Sequence, residues 1–230
     1  MPSFLYYTDL NDTNYHFNFL GLENTKYQVR NNKALEMVYR VNVGDNQVPL
    51  GNDTGMFRNW DNDFPCYLEK QYPQSVSIDF AHNLNYRNII IPNYTAPEAV
   101  YFTTRSYGMK ETEDYNVTWN FEVDYCFTYK ARLHFCEFDM TIKNQLDRVF
   151  QIFIDDTLAE EIADVISWSG GNRIPVQKDY AVHMYSQEGS SQIERVNLSR
   201  KLQRLPVGYI AYSDVILNGI EILKINDKKW

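Results

Sequence analysis

The stretch FTYKARLHFCEF, Phe127 to Phe138, alternates in character residue by residue: Phe127, Tyr129, Ala131, Leu133 and Phe135 fall on one parity, Thr128, Lys130, Arg132 and His134 on the other. A period of two gives each set its own face of an extended chain, whereas a helix would scatter both sets around its axis. Similar alternation, or apolar runs bounded by Asn, Asp, Gly and Pro, marks strands at 34–43, 75–80, 99–108, 116–123, 148–156, 179–186, 192–199 and 214–225. This many short strands with turn signals between them predicts an all-β chain, an antiparallel β-sandwich or jelly roll with long loops. TLAEEIADV, 157–165, fits a short helix and an extended arm equally well. Residues 43–70 and 167–178 read as loops, the first longer than a usual connection and so either a binding surface or a tether.

Parity also decides the one constellation that looks catalytic. His134 and Cys136 share a face while Glu137 points to the other, so the three do not converge on a straight strand. No GxSxG elbow accompanies them, and His16, His82, His134 and His183 show no metal-ligand spacing. The acidic groups Asp61 with Asp63, Glu111 with Glu113 and Asp114, and Asp155 with Asp156 lie in loop-like stretches where solvated carboxylates are the default. Gly170 and Gly171 read as a tight turn beside Trp168. Neither a catalytic pair nor a metal or cofactor site is expected from these residues.

Thirty acidic against 22 basic residues give a net charge of -8, which argues against nucleic acid as a partner. Aromatics at 15% suit half-buried pleated surfaces. No run of about 18 apolar residues occurs, and MPSFLYYTDL has neither the basic flank nor the apolar stretch of a signal peptide. Yet Asn-x-Ser/Thr triplets begin at Asn11, Asn52, Asn93, Asn116 and Asn197, the signature of a secreted glycoprotein surface whose targeting segment lies outside this sequence. Of the three cysteines, Cys126 and Cys136 are separated by continuous strand too long for a disulfide, and at least one thiol stays unpaired within the chain.

Several stretches together resemble one family. YTAPEAVYFTTRSYG from Tyr94, NVTWNFEVDYCFTYKARLHFCEF from Asn116, RVFQIFIDDTLAEEIADV from Arg148, WSGGNRIPVQKDYAV from Trp168 and the closing ILNGIEILKI look like the malectin-like ectodomain of plant receptor-like kinases of the FERONIA type. The opening, through ALEMVYRVNVGDNQVPLGNDTGMFRNW, resembles the lead into the second of two tandem malectin domains, which makes 1–33 an arm and 34–226 the domain. The resemblance implies a β-sandwich of the carbohydrate-binding-module type at the extracellular face of the plasma membrane, tethered through a membrane span and joined to a kinase outside this sequence. It implies a binding module and not an enzyme, with as partners a secreted cationic peptide of the RALF (rapid alkalinisation factor) type and a GPI-anchored co-receptor, and pectin or another wall glycan as a second ligand.

In animal malectin, aromatic residues stack on a glucose disaccharide; at matching places this chain has Asp139 and Met140 after the strand, and Ser106 with Tyr107 beside it after the Thr-x-Arg turn. The stacking faces are mostly absent. Phe138, Tyr101, Phe102 and Arg105 stand as neighbours, with core packing claiming at least two of them, and Trp168 completes the candidate set. Cys66 and Cys126 depart from the family pattern, and a pairing between them stays open. A lectin reading glycans through Tyr107, Trp119 or Trp168 is the alternative.

Overall fold

The computed structural model describes residues 5–6, 16–20, 26–28, 33–69, 73–78, 84–86, 91–106, 116–185, 195–205, 212 and 214–227. Its strands are β1 (Leu5–Tyr6), β2 (His16–Phe19), β3 (Lys26–Gln28), β4 (Lys33–Asn42), β5 (Asp61–Asn62), β6 (Gln74–Ser77), β7 (Thr103–Ser106), β8 (Asn116–Asp124), β9 (Thr128–Phe135), β10 (Phe150–Ile154), β11 (Thr157–Ala163), β12 (Val176–His183), β13 (Arg195–Arg204) and β14 (Gly219–Asp227). The larger sheet runs β1-β4-β14-β9-β12-β2-β3, with β5 pairing on β4, and the smaller runs β11-β10-β13-β8. Pairing is antiparallel except where β12 meets β2 and β4 meets β5. The segment read as an arm therefore contributes β1, β2 and β3 to the larger sheet.

The two sheets face each other across one apolar core. From β9 come Tyr129, Ala131, Leu133 and Phe135; Val117, Trp119, Phe121 and Val123 of β8 and Phe150, Ile152 and Ile154 of β10 meet them from the smaller sheet. All of these side chains are 2% exposed or less, so the alternation in the sequence is the alternation of the sandwich.

The other face of the larger sheet is also covered. Val48, Trp60, Leu84, Ile91, Ala96, Val100, Tyr101, Phe102 and Cys136 form a second apolar cluster, so the long 43–69 stretch is a packed layer. Its entry point is Gly44, at φ +94°, where the backbone passes so close to Thr104 that a Cβ would sit 2.3 Å from the Thr104 carbonyl oxygen. Buried Asn218 fastens the layer from below, donating to the Tyr101 and Thr103 carbonyls and accepting from the Cys136 amide at 2.7 Å.

Two local expectations change, and one left open is decided. The predicted strand at 99–108 begins as a short helix, α1 (Glu98–Tyr101), because Pro97 fixes the N-cap and Glu98 complements the helix dipole; only Thr103–Ser106 of the described part is strand. Of TLAEEIADV, Thr157–Ala163 is extended: Asp155 and Asp156 both take positive φ, 50° and 57°, the two-residue hairpin geometry that returns the chain as β11 beside β10. Within the predicted 167–178 loop, Asp164 caps the amide of Ser167 and left-handed Gly170 ends the turn, which makes Val165–Ser169 a helix, α2. Cys66, Cys126 and Cys136 are free thiols, the first two exposed and the third buried.

Candidate functional site

The predicted ligand residues divide into core and surface. Tyr101 and Phe102 are 1% exposed, which leaves a ligand nothing to touch and places both in the covering layer. Arg105 donates through Nε and Nη2 to the buried Asp63 carboxylate at 2.9 and 2.7 Å, and Trp119 Nε1 and the Gly44 amide donate to the same group. Arg105 is thereby a strut between β7 and the 43–69 layer. Ser106 is buried, with its hydroxyl on Asp214. Trp168 meets Phe135 edge-on at 5.4 Å and has the Lys178 ammonium 4.2 Å above its ring, so one face is taken. Tyr107 lies outside the described residues.

What reaches solvent is the turn after β9. Phe138 is buried, but Asp139 is half-exposed, Met140 is 53% and Leu146 60% exposed. The turn is built rigidly: Glu137 takes Arg148 Nη1 at 2.9 and 2.7 Å, Arg148 Nη2 lies 3.6 Å from Asp139, and the Asp139 carboxylate accepts from the amide and hydroxyl of Thr141. Burial pushes the Glu137 carboxyl up against the pull of Arg148. Burial opposes ionisation of Asp139 too, but the Thr141 bonds and then Arg148 hold its carboxyl below the usual range. Across the rim Asn172 donates to the carbonyls of Asp139 and Ile142, and Arg173 Nη2 approaches the Met140 sulfur at 3.0 Å. The result is a fixed lip on which the ionised Asp139 carboxylate and Met140 reach solvent, with Leu146 exposed further along the same connection between β9 and β10.

The second face of β9 holds what sequence reasoning missed. Arg40, Glu221, Arg132 and Asp179 lie in register on four adjacent strands, β4, β14, β9 and β12, so their charges alternate across the sheet. Arg40 Nε donates to Glu221 at 2.8 Å, Arg132 Nε to Asp179 at 2.8 Å, and Lys130 Nζ reaches Asp179 at 2.9 Å. His134, fully buried, contacts Glu221 through Nε2 at 3.2 Å and the Tyr101 hydroxyl through Nδ1 at 3.0 Å, with Trp60 edge-on above it. A carboxylate can only accept, so Nε2 carries the hydrogen and Nδ1 accepts from Tyr101. Burial raises the Glu221 carboxyl, but His134, Arg40 and Arg132 more than reverse this and hold it well below the usual range. Period-two reading recognised this face but not its lid, and the signal for the pairs is cross-strand register, which a single sequence does not display.

Burial also holds the His134 imidazole below its ordinary value of 6.5, against the pull of Glu221. Its unfolded form thus binds more protons below about pH 6.5, and its contribution to stability, full above that pH, is lost as pH falls. Urea midpoints taken between about pH 7.5 and 5.5 should fall less for His134→Gln than for the parent. Parallel declines in the two proteins would rule His134 out as the source.

Against this geometry, residues 17–225 match the sequence profile of the Malectin-like domain. The chain belongs to the malectin-like family. Among curated relatives, the receptor-like protein kinase FERONIA of Arabidopsis thaliana is 40% identical over 200 residues, covering 86% of this chain and 22% of that protein. ANXUR2 of Arabidopsis thaliana is 37% identical over 205 residues, covering 85% and 23%. This malectin-like chain therefore spans about a fifth of the length of these relatives. Among solved structures, the plant receptor-like kinase FER superposes with TM-score 0.79 at 38% identity, over 87% of this chain and 52% of that one. A complex of the plant peptide RALF23 with FER and LLG2 gives 0.79 at 36% identity, over 96% and 55%. The malectin-like region shared with these proteins is receptor-kinase ectodomain, an extracellular ligand-binding module of a signalling receptor. Among the described residues no helix is long and apolar enough to cross a membrane.

Proposed function

We propose that this domain senses a secreted cationic peptide of the RALF type together with a GPI-anchored co-receptor, as part of the extracellular half of a single-pass receptor kinase. The observation that carries the reading is the likeness, over 96% of the chain, to FER in its complex with RALF23 and LLG2. The net charge of -8 favours encounter with a basic peptide, and the Asp139, Met140 and Leu146 lip offers it a carboxylate with apolar neighbours. In this reading residues 1–33 lead in from a preceding malectin-like half and 34–226 form the ligand-binding body.

Titration of the secreted chain with a RALF-type peptide and an LLG-type co-receptor tests this. Binding is expected to need the co-receptor and to weaken from low to high salt. Met140→Arg with Leu146→Arg should weaken it by about tenfold or more, because like charge meets a basic ligand, while leaving the urea midpoint in place. Absence of binding with both partners present overturns the reading; affinity indifferent to salt and to these variants removes the lip from it. Of the aromatics named for the lectin alternative, the two among the described residues lend it no support, since Trp119 is 1% exposed and Trp168 is packed under Lys178.

A further inference from the structure

The loop between β4 and β5 presents an aromatic display that core packing does not explain. Phe57 is 73% exposed and is held at φ 52°, a left-handed conformation that an aromatic residue adopts only under constraint. Leu50 at 52%, Met56 at 44% and Tyr94 at 55% are exposed with it. Arg58 supplies the constraint. It donates to the Asp53 carboxylate through Nε and Nη2, both at 2.8 Å, to the Tyr94 carbonyl at 2.8 Å, to the Thr95 carbonyl at 2.7 Å and to the Thr54 hydroxyl at 3.1 Å. The Thr54 hydroxyl itself donates to the Tyr94 carbonyl at 3.2 Å.

Asn52 directly precedes Asp53, and Asn93 directly precedes Tyr94; both asparagines are exposed, and each opens an acceptor triplet, NDT and NYT. One guanidinium thus ties two triplets from separate loops together, next in sequence to exposed Phe57 on one side and carrying exposed Tyr94 on the other. We propose that this surface is a twin N-glycosylation site, in which the first N-acetylglucosamine on Asn52 and on Asn93 lays its pyranose face over Phe57 and Tyr94. Each attachment forms a bond from Asn Nδ2 to sugar C1 and breaks the C1–O bond of a lipid-diphosphate oligosaccharide donor. The amide gives up one proton and the lipid diphosphate departs.

The covalent link explains what would occupy an exposed patch on a secreted domain without calling on a second protein: the sugar face is apolar enough to cover a ring, and its tether keeps it there. The other described triplets lack this setting. Asn116 is half-buried on β8 and accepts from its own Thr118 hydroxyl at 3.1 Å, and Asn197 lies opposite Glu122 on the neighbouring strand. The proposal uses none of the lip residues assigned to the peptide, so each can fail alone.

The chain, secreted from a glycosylating host, should carry sugar on both Asn52 and Asn93 by peptide mass spectrometry. Trimming those glycans to a single N-acetylglucosamine should leave anilinonaphthalene-sulfonate fluorescence low, whereas Asn52→Gln with Asn93→Gln should raise it severalfold. Phe57→Ser and Tyr94→Ser, which preserve both triplets, should speed native enzymatic release of sugar from Asn52 and Asn93. Trimmed parent protein serves if the double glutamine variant folds poorly. Unmodified Asn52 and Asn93 in the secreted protein overturn the proposal, as does protection of Phe57 by a RALF-type peptide on such protein. Release rates indifferent to Phe57→Ser and Tyr94→Ser overturn it as well.

Discussion

Replacing Glu221 by leucine should cost the fold about 3–5 kcal/mol, the range for removing one member of a buried ion pair. Glu221 is 4% exposed and is engaged on three sides: Arg40 Nε at 2.8 Å, His134 Nε2 at 3.2 Å and, more distantly, Arg132 Nη1 at 3.9 Å. The leucine is comparable in bulk, so packing changes little and the loss falls on the cations left behind under Trp60. A urea titration should show a lower midpoint with the slope unchanged, since the area exposed on unfolding is the same. A shift equivalent to less than about 1 kcal/mol would mean that Arg40 and Arg132 find solvent or other acceptors, and would sink the idea that this row is sealed.

The second large effect is expected at Gly44. Alanine there meets the Thr104 carbonyl oxygen at 2.3 Å and the Thr104 carbonyl carbon at 2.5 Å, both backbone atoms of β7 that no rotamer change can move. It must also hold φ +94°, where an L-residue is strained by about 1–2 kcal/mol. Gly55 isolates the two contributions, because at φ +84° its added Cβ has nothing within 4 Å. Gly55→Ala should therefore show the conformational cost alone, about 1 kcal/mol, while Gly44→Ala should lose several kcal/mol or fail to accumulate as folded protein. Equal thermal midpoints for the two variants would show that β7 can retreat from the loop layer without penalty.

The sandwich itself was legible because burial between sheets imposes a period of two in polarity, and the sequence of β9 displays that period without interruption from Thr128 to Phe135. Departures arose where a few residues outweigh a pattern. Pro97 turns the start of an apparent strand into α1, and the paired positive φ values of Asp155 and Asp156 decide TLAEEIA, open in the sequence between helix and extended arm, as an edge strand. The polarity of Lys130, Arg132 and His134 sets them on a second face in the sequence, but what covers that face is not visible there; the cover over His134 comes from Trp60 and Tyr101, distant along the chain. Of the candidate ligand residues, Asp139 and Met140 reach the surface. Tyr101 and Phe102 went to the core for the same reason that any large apolar ring does when a lid is available.

The alternating charges on β4, β14, β9 and β12 act as a key for alignment. A strand that slipped by two residues would keep its apolar set facing the core, so hydrophobic burial alone tolerates that error. With the same slip Glu221 would no longer stand opposite Arg40 and Arg132, nor Asp179 opposite Arg132, and the stranded charges would be shut beneath an aromatic lid. Four segments spread from residue 40 to residue 221 can satisfy every member of the row in one alignment, so the domain carries an internal check on its own assembly.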